Sequence, residues 1–322
     1  MSSLSSPGKQ KVMRRRGSKG LRRETRAGFL FALPWMLGFL AFSLYPIITS
    51  MYYSFTSFNI FQSPRWIGLA NYEELFLYDP KFIKSLLNTL YMVVLGTPIT
   101  LLAGLLMAVL LNQKIRGQSV FRTIFYLPSI VPTVASSLVW LWILNPQYGL
   151  LNMTLKAIGL PQPIWLMDAR WTKPALIIMG VWGVGNTMII FLAALQDVPS
   201  SLYEAAEIDG ANALQRFLYI TLPGISPVIF FQLIMSVIGY FQYFTQAYML
   251  IGGSSVDSGL NVMGGGAENS MLFYSLYLFH NAFGYFKMGK ASAMAWVLFI
   301  IIMAVTALIF KTQDKWVSYG GE

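Results

Sequence analysis

Two small groups of polar and aromatic residues stand out in an otherwise apolar chain. Trp182, Gly183 and Asn186 lie close together, and Ser236, Tyr240 and Tyr243 follow at i, i+4 and i+7, which is one face of a helix. Aromatic rings cover the apolar faces of a ring-shaped ligand, while amides and hydroxyls pair its OH groups. The set suits an uncharged polyhydroxyl ligand. The same residue types also serve packing and hydrogen bonding between helices, so pattern alone supports both readings. A third group, Glu204, Ala205, Ala206, Asp209 and Gly210, has no nucleophile or metal-ligand spacing. Ala205 and Ala206 are small and let another surface approach closely, and an ordinary loop on the membrane surface fits the same residues.

The residues that are scarce narrow the chemistry further. The 322-residue chain has no cysteine and one histidine, which excludes thiolate metal sites, cysteine nucleophiles, disulfides and multi-histidine metal centres. Only 11% of residues are charged and 56% are hydrophobic. A soluble domain averages about a quarter charged residues, so the composition indicates an all-α polytopic membrane protein. Long uncharged stretches place six spans near 29–52, 86–111, 124–144, 174–195, 228–251 and 291–310, each matching the roughly 20 residues needed to cross a bilayer. No Asp, Glu, Lys or Arg falls inside these ranges. That argues against a proton-coupled carrier and against intramembrane acid–base hydrolysis. Pro34, Pro46, Pro98, Pro128 and Pro132 predict kinked, closely bundled helices. The range 269–286 is uncharged but rich in Asn, Ser and Gly, and reads as an interfacial or re-entrant helix beneath the outer surface.

The chain therefore divides into a basic N-terminal tail (1–28), a six-span domain (29–310) and a short C-terminal tail (311–322). The first tail carries nine basic residues against Glu24 alone, and reads as a cytoplasmic anchor and not as a nucleic-acid arm. With six spans, both termini are then cytoplasmic; the orientation rests on this tail. No cleavable signal peptide is expected.

Between the fourth and fifth spans, Pro199 precedes Ser201-x-x-Glu204, which predicts a capping box opening a short helix with Glu204, Glu207 and Asp209 in its first turns. Gly210 predicts a sharp turn or helix end, and Pro223 opens the fifth span. This stretch, through Glu204-Ala205-Ala206, Asp209-Gly210-Ala211, Phe217, Ile220, Leu222-Pro223 and Pro227, closely resembles the EAA loop (200–223) of permease subunits of binding-protein-dependent ABC importers. The likeness runs from about Phe29 to Trp316. Phe121-Arg122-Thr123-Ile124-Phe125-Tyr126-Leu127-Pro128 and Ser270-Met271-Leu272-Phe273-Tyr274-Ser275-Leu276-Tyr277 look like the carbohydrate-uptake branch.

The resemblance implies a type I importer permease architecture in a bacterial inner membrane. It implies a second permease subunit, identical or homologous, two cytoplasmic ATPase subunits and an extracytoplasmic solute-binding protein that delivers a sugar or oligosaccharide. ATP and Mg²⁺ would be bound by the ATPases; this chain has no G-x-x-x-x-G-K-[ST] phosphate loop and is expected to hold no cofactor or metal and to catalyse no reaction. The EAA loop would couple ATPase closure to the spans through Glu204, Ala205, Ala206, Asp209 and Gly210. Family members touch ligand on the spans flanking that loop, and counting outward from Glu204 reaches Trp182, Gly183 and Asn186 on one side and Ser236, Tyr240 and Tyr243 on the other.

Two other classes compete. A polytopic enzyme acting on lipid or glycan would need a catalytic cluster, for which Asp257, Glu268 and His280 are the available residues without a motif to join them. An autonomous channel or ion-coupled carrier leaves the EAA pattern unexplained. Gly180-x-x-Gly183-x-Gly185 lies inside a span and is no dinucleotide site, Gly264-Gly265-Gly266 reads as a flexible outer loop, and His280 reads as an interfacial hydrogen-bonding residue.

Overall fold

The computed structural model describes residues 18–113, 116–258 and 264–318, with the side chains of 18–27 and 253–258 left out. Residues 1–17 and 319–322, with most of the basic tail, lie outside the described residues. The chain divides into two compact units, Met1–Tyr52 and Tyr53–Glu322.

In the first unit a helix over Ser18–Phe39 passes through a π-helical segment, Leu40–Leu44, into Tyr45–Ser54. Its apolar part, Gly28–Ser54, is long enough to cross a bilayer. Thr49 Oγ1 donates to the Tyr45 carbonyl at 2.8 Å and Ser50 Oγ to that of Ile47 at 2.8 Å. Hydroxyls satisfied this way are compatible with lipid.

The regular elements described in the second unit are all helical, apart from isolated bridges such as Thr56 to Trp66. Three unbroken candidate spans, Pro80–Asn112, Ser226–Gly252 and Met288–Lys315, are joined by two bent pairs. One pair is Gln118–Ile130 with Thr133–Ile143, bent by 100°; the other is Ala169–Trp182 with Gly185–Asp197, bent by 49°. With each bent pair counted as one span, the described chain has up to six.

The 100° bend lies inside the third span expected over 124–144, where Pro128 and Pro132 predict a kink, and its cause is local. Pro132 has no N–H and pushes the preceding residue out of the helical region. Val131 accordingly sits at φ −66°, ψ 128°, and Pro132 at φ −54°, ψ 137°. The helices also begin earlier than the uncharged stretches. Lys81, Lys84, Arg122, Arg170, Lys173 and Lys290 lie within their first turns, so the charge-free description holds only for the middle of each span.

Close contacts sort the second unit into two ends. At one, Lys290 Nζ lies 2.8 Å from Glu74 and 2.7 Å from Asp79, and the Tyr277 hydroxyl donates to the same Asp79 Oδ2 at 2.6 Å. Asp79 Oδ1 caps the second span by accepting from Lys81 N at 3.0 Å and Phe82 N at 3.2 Å. Burial acts to raise the Asp79 pKa, but the Lys290 and Tyr277 hydrogen bonds outweigh it and hold the carboxyl below its ordinary value; Glu74 is lowered by Lys290 in the same way.

Residues 267–287 belong to this end. They pack into the protein: Met271, Phe273, Tyr274 and Leu276 are completely buried. Asn88 Nδ2 donates to the carbonyls of Asn269 (2.8 Å) and Leu272 (3.0 Å), and Thr89 Oγ1 accepts from Tyr274 N at 2.9 Å. The described part of the glycine run is a packed turn, not a flexible loop. Gly266 adopts φ +72°, and a Cβ on Gly265 would fall 2.4 Å from Leu272 Cβ. His280, expected at an interface, is buried in a π-helical segment, His280–Gly284. Burial, then the positive charge of Lys81, lowers its pKa.

Candidate functional site

At the other end of the second unit, a helix over Ser200–Ile208 begins at Pro199 without a side-chain cap. The capping box expected at Ser201 and Glu204 is absent, and Asp209 is at the C-cap, not in the first turns. A Pro–Ser start lets the helix begin two residues earlier than the motif requires, at Ser200 and not Leu202. Gly210 adopts φ +77°. Its N–H donates to the Glu207 carbonyl (3.1 Å) while Ala211 N–H donates to that of Ala206 (2.9 Å). That is a Schellman ending, which needs a residue tolerant of positive φ. The capping box lies one turn later, where Asn212 and Gln215 exchange hydrogen bonds of 2.8 and 2.9 Å and open Ala213–Arg216.

The result is a closed elbow of two short helices. The Tyr203 and Thr221 hydroxyls meet at 2.8 Å, tying the first helix to the π-helical segment Phe217–Thr221 that leads into the fifth span. Arg216 lies 3.7 Å from Glu207 across the bend. Glu204, Ala205, Asp209 and Gly210 are exposed, Ala206 partly so, and Ile208 is 87% exposed. A short apolar-and-acidic surface on a rigid elbow can receive a groove of another protein and pass displacement to the fifth span.

The six residues singled out on the flanking spans come together. Trp182, Gly183, Asn186, Ser236, Tyr240 and Tyr243 all line one cavity of about 390 Å³. Both helix breaks border it, the one at Val131 and Thr133 and the one at Trp182–Val184. Breaks expose unpaired backbone groups and place polar side chains at mid-span depth, which irregular backbone tolerates only beside a cavity. Trp182 packs edge-on against Trp140 at 5.9 Å, and Tyr240 stacks on Tyr243 at 6.0 Å. Thr100, Ser129, Thr133, Ser136, Thr187 and Gln246 add hydroxyls and an amide that sequence reasoning missed. For Thr100, Ser129, Thr133 and Ser136 the signal was available as polar residues close to Pro98, Pro128 and Pro132, and for Thr187 as the neighbour of Asn186; nothing local singles out Gln246. No charged side chain lines the cavity among the described residues.

Close packing builds this wall. A Cβ on Gly185 would fall 2.8 Å from the Phe125 carbonyl oxygen and 2.9 Å from Tyr126 Cα, so the fourth span meets the third through a backbone contact. The residues available for a catalytic cluster do not share one environment: Glu268 is exposed in a tight turn at φ 49°, His280 is buried, and the side chain of Asp257 is outside the described set.

Comparison with known proteins places the chain among permeases. The family model for "Binding-protein-dependent transport system inner membrane component" matches residues 100–319. Bacillus subtilis (strain 168) "Probable ABC transporter permease protein YesP" is 43% identical over 307 residues, 94% of this chain and 95% of that protein. Rhizobium radiobacter "Lactose transport system permease protein LacF" is 36% identical over 288 residues, 88% and 91% of the two chains. The fold matches a chain of a bacterial alginate ABC transporter, crystallised with its alginate pentasaccharide-bound periplasmic protein, at TM-score 0.77 and 22% identity, over 92% of this chain and 96% of that one.

Proposed function

The chain belongs to the family of binding-protein-dependent transport system inner membrane components, and from that premise we propose that it is the pathway-forming subunit of an ATP-driven importer for a sugar or oligosaccharide. The observation that carries this reading is the cavity: two groups of residues on spans either side of the elbow converge on one uncharged, aromatic and hydroxyl-lined space. Taking a charged solute into such a space without a counter-charge is costly, whereas a neutral polyol finds rings for its faces and amides for its hydroxyls. Lactose, named for the 36% identical relative, is of that class.

In this reading Trp182, Asn186, Ser236, Tyr240 and Tyr243 contact the passing ligand, with Gly183 leaving room for it. The elbow sits on the cytoplasmic side, and Glu204, Ala205, Ala206, Asp209 and Gly210 engage one of two ATPase subunits that bind ATP and Mg²⁺. Closure of those subunits pushes the elbow, and the Tyr203–Thr221 tie transmits the push to the fifth span, which carries Ser236, Tyr240 and Tyr243. A homologous second permease completes the pathway, and an extracytoplasmic binding protein loads it. The chain lies in the inner membrane with both termini in the cytoplasm.

The test is reconstitution with partner permease, ATPases and binding protein in liposomes. Asn186→Ala and Tyr240→Ala should each lower sugar uptake while the ATPase subunits still co-purify. Wild-type uptake by both variants, or solute movement by this chain alone, refutes the proposal.

A further inference from the structure

Tyr240 is held in an unusual way. Its ring tip lies where the second, fourth and fifth spans meet, and two of the three backbones there carry glycine. A Cβ on Gly96 would fall 2.9 Å from Tyr240 Cζ, 3.0 Å from Cε1 and 3.1 Å from the hydroxyl oxygen. A Cβ on Gly180 would fall 3.1 Å from that oxygen and 3.3 Å from Thr100 Cγ2. Carbon atoms in proteins pack at about 3.5–4.0 Å, so a methyl on Gly96 does not fit while the ring stays where it is, and one on Gly180 makes the Tyr240 hydroxyl and Thr100 give by a few tenths of an ångström.

The notch is also polar in the right place. The Tyr240 hydroxyl and Thr100 flank the same point beside Gly180, and the Thr100 hydroxyl donates to the Gly96 carbonyl at 2.8 Å. Gly96 is the last residue of a π-helical segment, Met92–Gly96, and such segments displace the register of the helix that follows. Here the displacement places a glycine and its carbonyl behind the ring. Tyr240 and Gly180 line the cavity, whereas Gly96 does not. The ring therefore stands between Gly96 and the open space.

We propose that Gly96 and Gly180 are specificity-determining positioning residues: the two missing side chains seat Tyr240 against the wall, and the depth of that seat sets how wide a sugar ring the cavity admits. A methyl on Gly96 drives the ring into the cavity, and one on Gly180 displaces its hydroxyl. The inference rests on the cavity being the ligand path, but the seat itself can be tested without any ligand.

The chain has no cysteine, so Ser236→Cys supplies a single thiol on the cavity wall, one helical turn from Tyr240. In purified protein in lipid nanodiscs, its reaction rate is measured with methyl methanethiosulfonate and with a bulky, neutral, glucose-bearing methanethiosulfonate. Gly96→Ala should slow the bulky reagent roughly tenfold and leave the small one within about twofold, the pattern of a local overpacking displacement. Adding Tyr240→Leu should restore the bulky reagent's rate.

The two glycines then separate. Of Tyr240, only the hydroxyl reaches the Gly180 position, with Thr100 Cγ2 the other neighbour, so Tyr240→Phe should rescue most of the Gly180→Ala effect; it should not rescue Gly96→Ala, where ring carbons collide. Unchanged bulky-reagent rates in both alanine variants, equal rescue of both by Tyr240→Phe, or parallel loss of both reagents' rates overturns the seat. A seat that behaves as stated in variants whose sugar uptake is unaltered would instead refute the ligand-path reading.

Discussion

Replacing Lys290 with methionine removes the centre of a buried ion cluster, and its neighbours allow the cost to be worked out. The Lys290 and Asp79 side chains are 6% and 7% exposed, while Glu74 is 42% exposed and is also 3.7 Å from Lys287. Water and Lys287 can compensate Glu74, so the loss falls mainly on Asp79. Removing one partner of a buried pair costs about 3–5 kcal/mol. Asp79 keeps three donors, namely Lys81 N, Phe82 N and Tyr277 Oη, which sets the expectation at the lower end, about 3 kcal/mol. Asp79→Asn keeps an oxygen for the helix cap but loses the charge, at about 2 kcal/mol, within the range for hydrogen bonds to charged groups. Asp79→Ala loses the cap as well and should cost about 1 kcal/mol more. Combining Lys290→Met with Asp79→Asn leaves no unmatched charge on Asp79, so the double variant should cost less than the two singles added together. Thermal unfolding in nanodiscs gives the order. Both carboxyls have pKa values lowered on folding, so their stabilisation is complete above their ordinary values of 3.8 and 4.5 and drains away as pH falls through the lower folded values. The difference between wild type and Lys290→Met should therefore be constant from pH 8 to about pH 5 and shrink below about pH 4. Equal stability of Asp79→Asn and Asp79→Ala would remove the cap, and additive costs in the double variant would remove the ion cluster as the source of the effect.

At the elbow, Gly210→Val forces a β-branched residue into φ +77° at a cost of at least about 1–2 kcal/mol locally; the protein should insert normally, while ATP hydrolysis in the assembled importer no longer drives uptake, and normal coupling would exclude the elbow as the transmitting element. Glu204→Lys changes charge on an exposed helix without touching its fold, so it should weaken co-purification of the ATPase subunits and leave thermal stability unchanged. Gly185→Ala should destabilise the bundle by about 1–3 kcal/mol, because the obstructing atoms at Phe125 and Tyr126 are backbone and cannot rotate away; a melting temperature equal to wild type would show that the third and fourth spans do not meet as described.

Much was legible in the residue order because membrane spans answer to composition. An uncharged stretch of sufficient length has few alternatives to a helix in lipid, and all six expected stretches contain such helices. The elbow was legible for a different reason: Gly210 has one obvious use, and the positive φ it permits is the one adopted. The capping box was misplaced by about ten residues because Ser201 and Glu204 satisfy the same pattern as Asn212 and Gln215, and only the surrounding turn decides which pair closes. How residues 267–287 are buried was not legible, because the groups that hold them come from other parts of the chain: the Asn88 amide on the Asn269 carbonyl, the Thr89 hydroxyl on Tyr274 N–H and the Met294 carbonyl on the Tyr274 hydroxyl.

Local sequence thus determined the helical content, the approximate span positions and the polar faces of the fourth and fifth spans, since each depends on residues within a turn or two of one another. Tertiary structure alone decided that those faces point into one cavity, that prolines and breaks border it, and that Gly96, more than a hundred residues from Tyr240, backs its ring. Such contacts depend on the crossing of separate helices, and a periodic pattern along one helix carries no information about what lies opposite it.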